Sequence, residues 1–90
     1  MNKERRKVIA GIHSQITDLK GKLEDLKSEA ETVQAEEQEA FDNMSENLQG
    51  GERGQATEEK AGQLQEASDK IGEAVDALDE AMTSLDDASQ

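Results

Sequence analysis

The stretch IAGIHSQITDLKGKLEDLKSEAETV, residues 9–33, places Ile9, Ile12, Ile16, Leu19, Leu23, Leu26, Ala30 and Val33 in steps of 3-4-3-4-3-4-3. Such spacing is the a/d heptad repeat of a helix that lies along a second helix. Beyond Val33 the stripe runs through Glu37 to Phe41, Met44 and Leu48 in steps of 4-4-3-4. The extra four-residue step resembles a stutter, which locally unwinds a left-handed supercoil. Glu37 stands where the stripe requires an apolar side chain, so packing is expected to loosen there.

A second stripe, Ala61, Leu64, Ser68, Ile71, Val75, Leu78, Met82 and Leu85, again alternates 3 and 4. Alanine recurs at 67, 74, 81 and 88, one residue before successive a positions. That widens the apolar face beyond a two-stranded seam and suits contact with two neighbours. Between the stripes lies Gln49-Gly50-Gly51-Glu52-Arg53-Gly54-Gln55, the strongest breaker cluster of the chain. The expected layout is a first helix over 3–48, a loop over 49–55 and a second helix over 56–88. Asn43 and Ser45 mark a further break near 43–45, the first ending one helix and the second capping one more turn. Gly50 suits the left-handed position that closes a helix. Glu58 and Glu59 suit the first turn of the second helix, where its dipole favours acids.

A loop centred near residue 52 pairs residue i with about 104 − i, setting Leu64 beside Phe41, Ile71 beside Val33, Leu78 beside Leu26 and Leu85 beside Leu19. The fold expected is an all-α antiparallel two-helix hairpin, a coiled coil. In that register residue 90 reaches only to about residue 14. Val8, Ile9 and Ile12, with Ile16 next to them, become candidates for self-association. A lone two-helix hairpin of this size gains about as much from apolar burial as it loses in chain entropy. Dimerisation into an antiparallel four-helix bundle is therefore expected.

Composition is consistent with this and narrows the function classes. Ninety residues make one domain at most. Only 32% are hydrophobic, Phe41 is the single aromatic, 36% are charged, and there is neither Pro nor Cys. Low hydrophobicity with a net charge of -12 is also the signature of a disordered chain, and the two unbroken stripes argue against that. Residues 1–30 carry seven bases and five acids, whereas residues 31–90 carry three bases and seventeen acids. An excess of fourteen acids repels nucleic acid and anionic membrane and attracts a basic protein surface. Val8 to Thr17 is too short and too polar to span a bilayer or serve as a signal peptide, so a cytoplasmic location is expected.

Glu36-Glu37-Gln38-Glu39-Ala40-Phe41-Asp42-Asn43-Met44-Ser45-Glu46-Asn47-Leu48-Gln49, followed by Glu52-Arg53-Gly54, resembles a group of small acidic phage and prophage proteins. Their shared phrase reads roughly E-E-x-A-F-D-N-M-P-E-N-L-Q, then R-G, then an acidic Ala/Leu helix. The similarity covers about residues 36–85, with Ser45 replacing the Pro of the phrase. It implies a mobile-element origin, hence a host bacterial cytoplasm, and a helical hairpin without implying an activity. Secreted hairpins of the WXG type share the size but carry a Trp-x-Gly turn that this chain lacks.

Residues with chemical potential are few. His13, the only histidine, flanks the first stripe and reads as a boundary residue. Glu36, Glu37, Glu39 and Asp42 lack the Glu-x-x-His partner of a di-metal bundle. The glycine cluster lacks the Gly-Lys-Ser/Thr ending of a phosphate loop. Arg53 is expected to pair with Asp42 or Glu46 across the turn, or to offer a cation to a partner. The basic cluster Lys3, Arg5, Arg6 and Lys7 has no interleaved aromatics and reads as a solvated end or a pairing site for acids of a second chain. Glu66, Asp69, Glu73, Asp76, Glu80 and Asp87 form an acidic face whose members lie about 5–6 Å from helical neighbours. That spacing is comparable with phosphates along a strand, although a solvated face is the commoner explanation. The function expected is non-enzymatic and cofactor-free: a module that binds a protein partner and itself, without direct nucleic-acid or membrane contact. The alternative is an acidic DNA mimic that inhibits a host nuclease or other defence protein.

Overall fold

The computed structural model describes residues 1–90 as three helices, α1 (Lys3–Asp42), α2 (Glu46–Gln49) and α3 (Glu52–Ala88). The long helices α1 and α3 pack antiparallel into a rod measuring 68 × 15 × 13 Å, with α2 forming part of the reversal. Thus the chain is an all-α helical hairpin. The Asn2 side chain starts α1 by accepting from the Arg5 amide at 2.8 Å, which satisfies one of the orphan donors of the first turn. With no proline to interrupt it, α1 then runs for 40 residues.

The reversal is made of two bends rather than one loop. Asn43 ends α1 in a right-handed conformation, and the Ser45 hydroxyl caps α2 by accepting from the Leu48 amide at 3.3 Å. Gly50 and Gly51 make the second bend, and α3 begins at Glu52, four residues before the expected start at 56. Arg53 and Gly54 therefore belong to a helix, not to a 49–55 loop. Gly50 adopts φ −80°, ψ −10°, and no residue has a positive φ, so the left-handed closure expected there is absent. Dividing the reversal around the single turn of α2 lets each bend combine a right-handed residue, Asn43 or Gly50, with an extended one, Ser45 or Gly51, all at negative φ. Glu52, rather than Glu58 and Glu59, occupies the first turn of α3.

An earlier helix start moves the register. The pairs His13–Asp86, Thr17–Met82, Lys20–Asp79, Glu31–Ser68 and Lys27–Gly72 all have residue numbers summing to 99, not 104. Leu64 accordingly shares a groove with Val33 instead of facing Phe41. Gln90 reaches the level of Ile9, so the overhang is confined to residues 1–8.

The helices approach most closely where α3 is small. Only Gly54, Ala61 and Ser68 are buried, all on α3. Ser68 is 1% and Ala61 3% exposed, and the Ser68 hydroxyl lies 3.4 Å from the Glu31 carboxylate. At the turn, Gly54 packs directly beneath the carbonyls of Leu48 and Gln49. The Gln49 side-chain amide completes the lock by donating to the Phe41 carbonyl at 3.0 Å.

Candidate functional site

The seam divides the α1 stripe in two. Ile9, Ile16, Leu23, Ala30, Glu37 and Met44, spaced by seven, are half-buried toward α3. So is the column four residues further along, His13, Lys20, Lys27, Gln34 and Phe41. The remaining column of the heptad is left outside: Ile12, Leu19, Leu26 and Val33 are 42, 47, 50 and 45% exposed. On α3 both expected columns face the seam, Ala61, Ser68, Val75 and Met82 with Leu64, Ile71, Leu78 and Leu85.

Ion pairs explain why α1 turns a polar column inward. Lys20 Nζ lies 2.7 Å from Asp79 and 3.7 Å from Glu24, and His13 Nε2 lies 3.4 Å from Asp86. Lys27 lays its stem over Gly72, where an added Cβ would meet Lys27 Cε at 3.4 Å, and meets Glu31 at 3.6 Å. Hydrogen bonding to Asp79 raises the Lys20 pKa above its ordinary 10.5, against the opposing effect of desolvation. Lys20 and Lys27 thereby cover the seam with their aliphatic stems while keeping the ammonium groups wet. Rotating α1 to make these pairs carries Ile12, Leu19, Leu26 and Val33 away from α3.

The two edges of the hairpin differ in chemistry. One carries the ion pairs and a groove lined by Glu24, Lys27, Asp69, Gly72, Glu73 and Asp76. The other carries the exposed aliphatic column and a groove lined by Val33, Glu37, Lys60, Gln63 and Leu64. Helical spacing puts Ala67, Ala74, Ala81 and Ala88 on this second edge, in the column of Lys60. Gln63, Lys70, Ala77 and Ser84 flank them. None of these α3 positions is acidic, although the helix contains eleven acids.

The six acids singled out by the sequence are all exposed; Asp69, Glu73 and Asp76 line the groove of the ion-pair edge, and Glu66, Glu80 and Asp87 continue along the outer surface of α3. Glu66, Glu73, Glu80 and Asp87 form one column, with Asp69 and Asp76 between it and the seam. Glu73 meets Lys70 at 3.5 Å within its own helix, and Asp69 accepts from Gln65 at 3.0 Å. The others have no cationic partner.

The proposed self-association set is dispersed. Val8 is on the overhang and 62% exposed, and Ile12 belongs to the outward column. Ile9 and Ile16, however, are half-buried in the hairpin's own seam. Leu19, Leu26 and Val33 are the residues that sequence reading assigned to the seam and the structure places outside. Two signals point to this arrangement: the alanines recurring at seven-residue intervals, and His13 and Lys20 matched by Asp86 and Asp79 at the same spacing. At the turn, Arg53 forms no ion pair with Asp42 or Glu46. It projects from the first turn of α3, while Asp42 accepts from Gln38 at 3.1 Å. Starting α3 at Glu52 takes Arg53 out of the turn that was to hold it near both acids. Comparison with protein-family models, curated proteins and solved structures finds no match to this chain.

Proposed function

We propose that the chain is a non-enzymatic interaction module of mobile-element type, binding a protein through its helical surface. One observation carries this reading: four large aliphatic side chains on a seven-residue repeat are left about half exposed along one edge of the rod. Covering an aliphatic side chain fully is worth about 1.5–3 kcal/mol, so half-covered residues still hold roughly half of that in reserve. A contiguous exposed apolar strip is the usual mark of a contact surface. The mobile-element component rests on the Phe41–Leu48 phrase.

A second reading, an acidic mimic of DNA, is favoured by the unpaired acids Glu66, Asp76, Glu80 and Asp87 along the other side of α3. The two separate by variant. Tagged wild-type protein, Leu19→Lys/Leu26→Lys and Glu73→Lys/Glu80→Lys are used to capture partners from a bacterial lysate at low and high salt. The contact reading expects capture to survive salt and to fail in the leucine variant. Capture that elutes with salt and fails only in the charge-reversed variant would establish the mimic. If neither variant changes capture, both readings fall and the turn carrying Asp42, Glu46 and Arg53 becomes the surface to test.

A further inference from the structure

We infer that the occupant of the apolar edge is a second copy of this chain, packed with its turn at the opposite end of the rod. The inference rests on the contact reading above and names its partner. Three features of the edge point to self-packing.

The first is charge. Two copies at -12 each repel, and the acid-free columns of α3 let the two α3 helices meet along this edge without opposing carboxylates.

The second is symmetry. The stripe Ile12–Val33 has its midpoint at residues 22–23, and the alanine stripe 67–88 has its midpoint at 77–78. In the observed register Lys22 stands level with Ala77, so both stripes are centred at one height. A two-fold axis crossing the rod there superposes each stripe on itself, as a self-complementary interface requires. Leu19 then meets Leu26 of the second copy, Ile12 meets Val33, and Ala74 meets Ala81.

The third is what this orientation does with the overhang. Arg5 is the next member of the outward column below Ile12, and Ala40 the next above Val33. The two-fold axis lays Arg5 of each copy beside Ala40 of the other, where Glu36 flanks the outward column. Charge is complementary there, and Val8 gains a neighbour that its own α3 is too short to supply. Placing both turns at the same end would leave this overhang unpaired and bring the two basic ends together.

The area suffices. Residues 60–88 span about 42 Å at 1.5 Å per residue. With a width of 15 Å, the projected contact is about 600 Å² per copy, or 1,200 Å² for the pair. That is the lower limit of a specific interface.

Since the chain contains no cysteine, single-cysteine variants report the geometry cleanly. Lys22→Cys and Ala77→Cys each lie beside the axis and should form covalent dimers on mild oxidation, with Glu80→Cys on the acidic face as the background. An equimolar mixture of the first two that yields only the mixed disulfide would overturn the opposite-end orientation. No linkage above the Glu80→Cys background, together with a monomeric mass for the wild type, would overturn the second copy as occupant. In that case persistent loss of lysate capture in Leu19→Lys/Leu26→Lys would show the contact reading standing without self-association. All three cysteine sites are exposed positions in helix interiors, so circular dichroism should show unchanged helicity, and the linkage result holds irrespective of the leucine variant's folding.

Discussion

Replacing Gly54 with alanine tests the turn, which sets the register of everything else. In an ordinary exposed helix interior, Gly→Ala stabilises by about 0.5–1 kcal/mol through backbone entropy. Gly62 is such a site, with nothing within 4 Å of an added Cβ. At Gly54 the same methyl would collide with the Leu48 and Gln49 carbonyl oxygens and stand 2.6 Å from Gln49 Cα. All three are backbone atoms, so no rotamer change relieves the clash, and α2 must move off α3. Overpacking of this kind costs about 1–3 kcal/mol. Moving α2 also strains the Gln49–Phe41 hydrogen bond, itself worth about 0.5–1.5 kcal/mol. With the helix-propensity gain subtracted, Gly54→Ala should destabilise by about 1–3 kcal/mol while Gly62→Ala stabilises. Urea denaturation followed by circular dichroism, at one protein concentration, measures both. Equal stabilisation by the two substitutions would refute the close packing of α3 beneath the turn.

The seam gives further expectations. Glu37→Leu should raise stability by about 1 kcal/mol in thermal melts, since it places an apolar side chain on a half-buried site beside Val33 and Leu64. Ser68→Leu should destabilise by about 1–3 kcal/mol by forcing the helices apart at their closest approach, whereas Ser68→Ala should be nearly neutral because Glu31 is free to rehydrate. Folding should strengthen with added sodium chloride, which screens the net charge of -12; a fall in melting temperature with salt would show that the inter-helix ion pairs outweigh the repulsion. The stabilisation supplied by Lys20 should be fully present below pH 10.5, the ordinary lysine value, and disappear as pH rises through the elevated folded value. An alkaline melt comparing wild type with Lys20→Met should show the two curves converging in that range.

The hairpin itself was legible because two heptad stripes separated by a glycine cluster leave little choice of fold. Its register was not, because every glycine of the 49–55 cluster reads as loop. Gly50 and Gly51 do bend the chain, but Gly54 is a helical residue kept small by the carbonyls above it. Nothing in its local sequence distinguishes a glycine needed for a turn from one needed for close packing. That four-residue shift in the start of α3 accompanies the change of register from 104 to 99, and it moves Ile9 and Ile12 from the overhang to positions alongside α3. The outward rotation of Leu19, Leu26 and Val33 was hidden for another reason. Hydropathy assigns lysine to solvent, yet Lys20 and Lys27 cover the seam with their stems because Asp79 and Glu31 receive their charges. The acidic positions of α3 needed no such correction, since carboxylates unopposed by a nearby base stay exposed whichever way the helix turns.

Sedimentation equilibrium of the wild-type chain across a wide concentration range tests the central claim, that the edge bearing Ile12, Leu19, Leu26 and Val33 is a contact surface filled by a second copy. The account predicts a mass twice the 9.8 kDa of one chain, falling to 9.8 kDa in Leu19→Lys/Leu26→Lys. A wild type that remains at 9.8 kDa at every concentration while fully helical would contradict it.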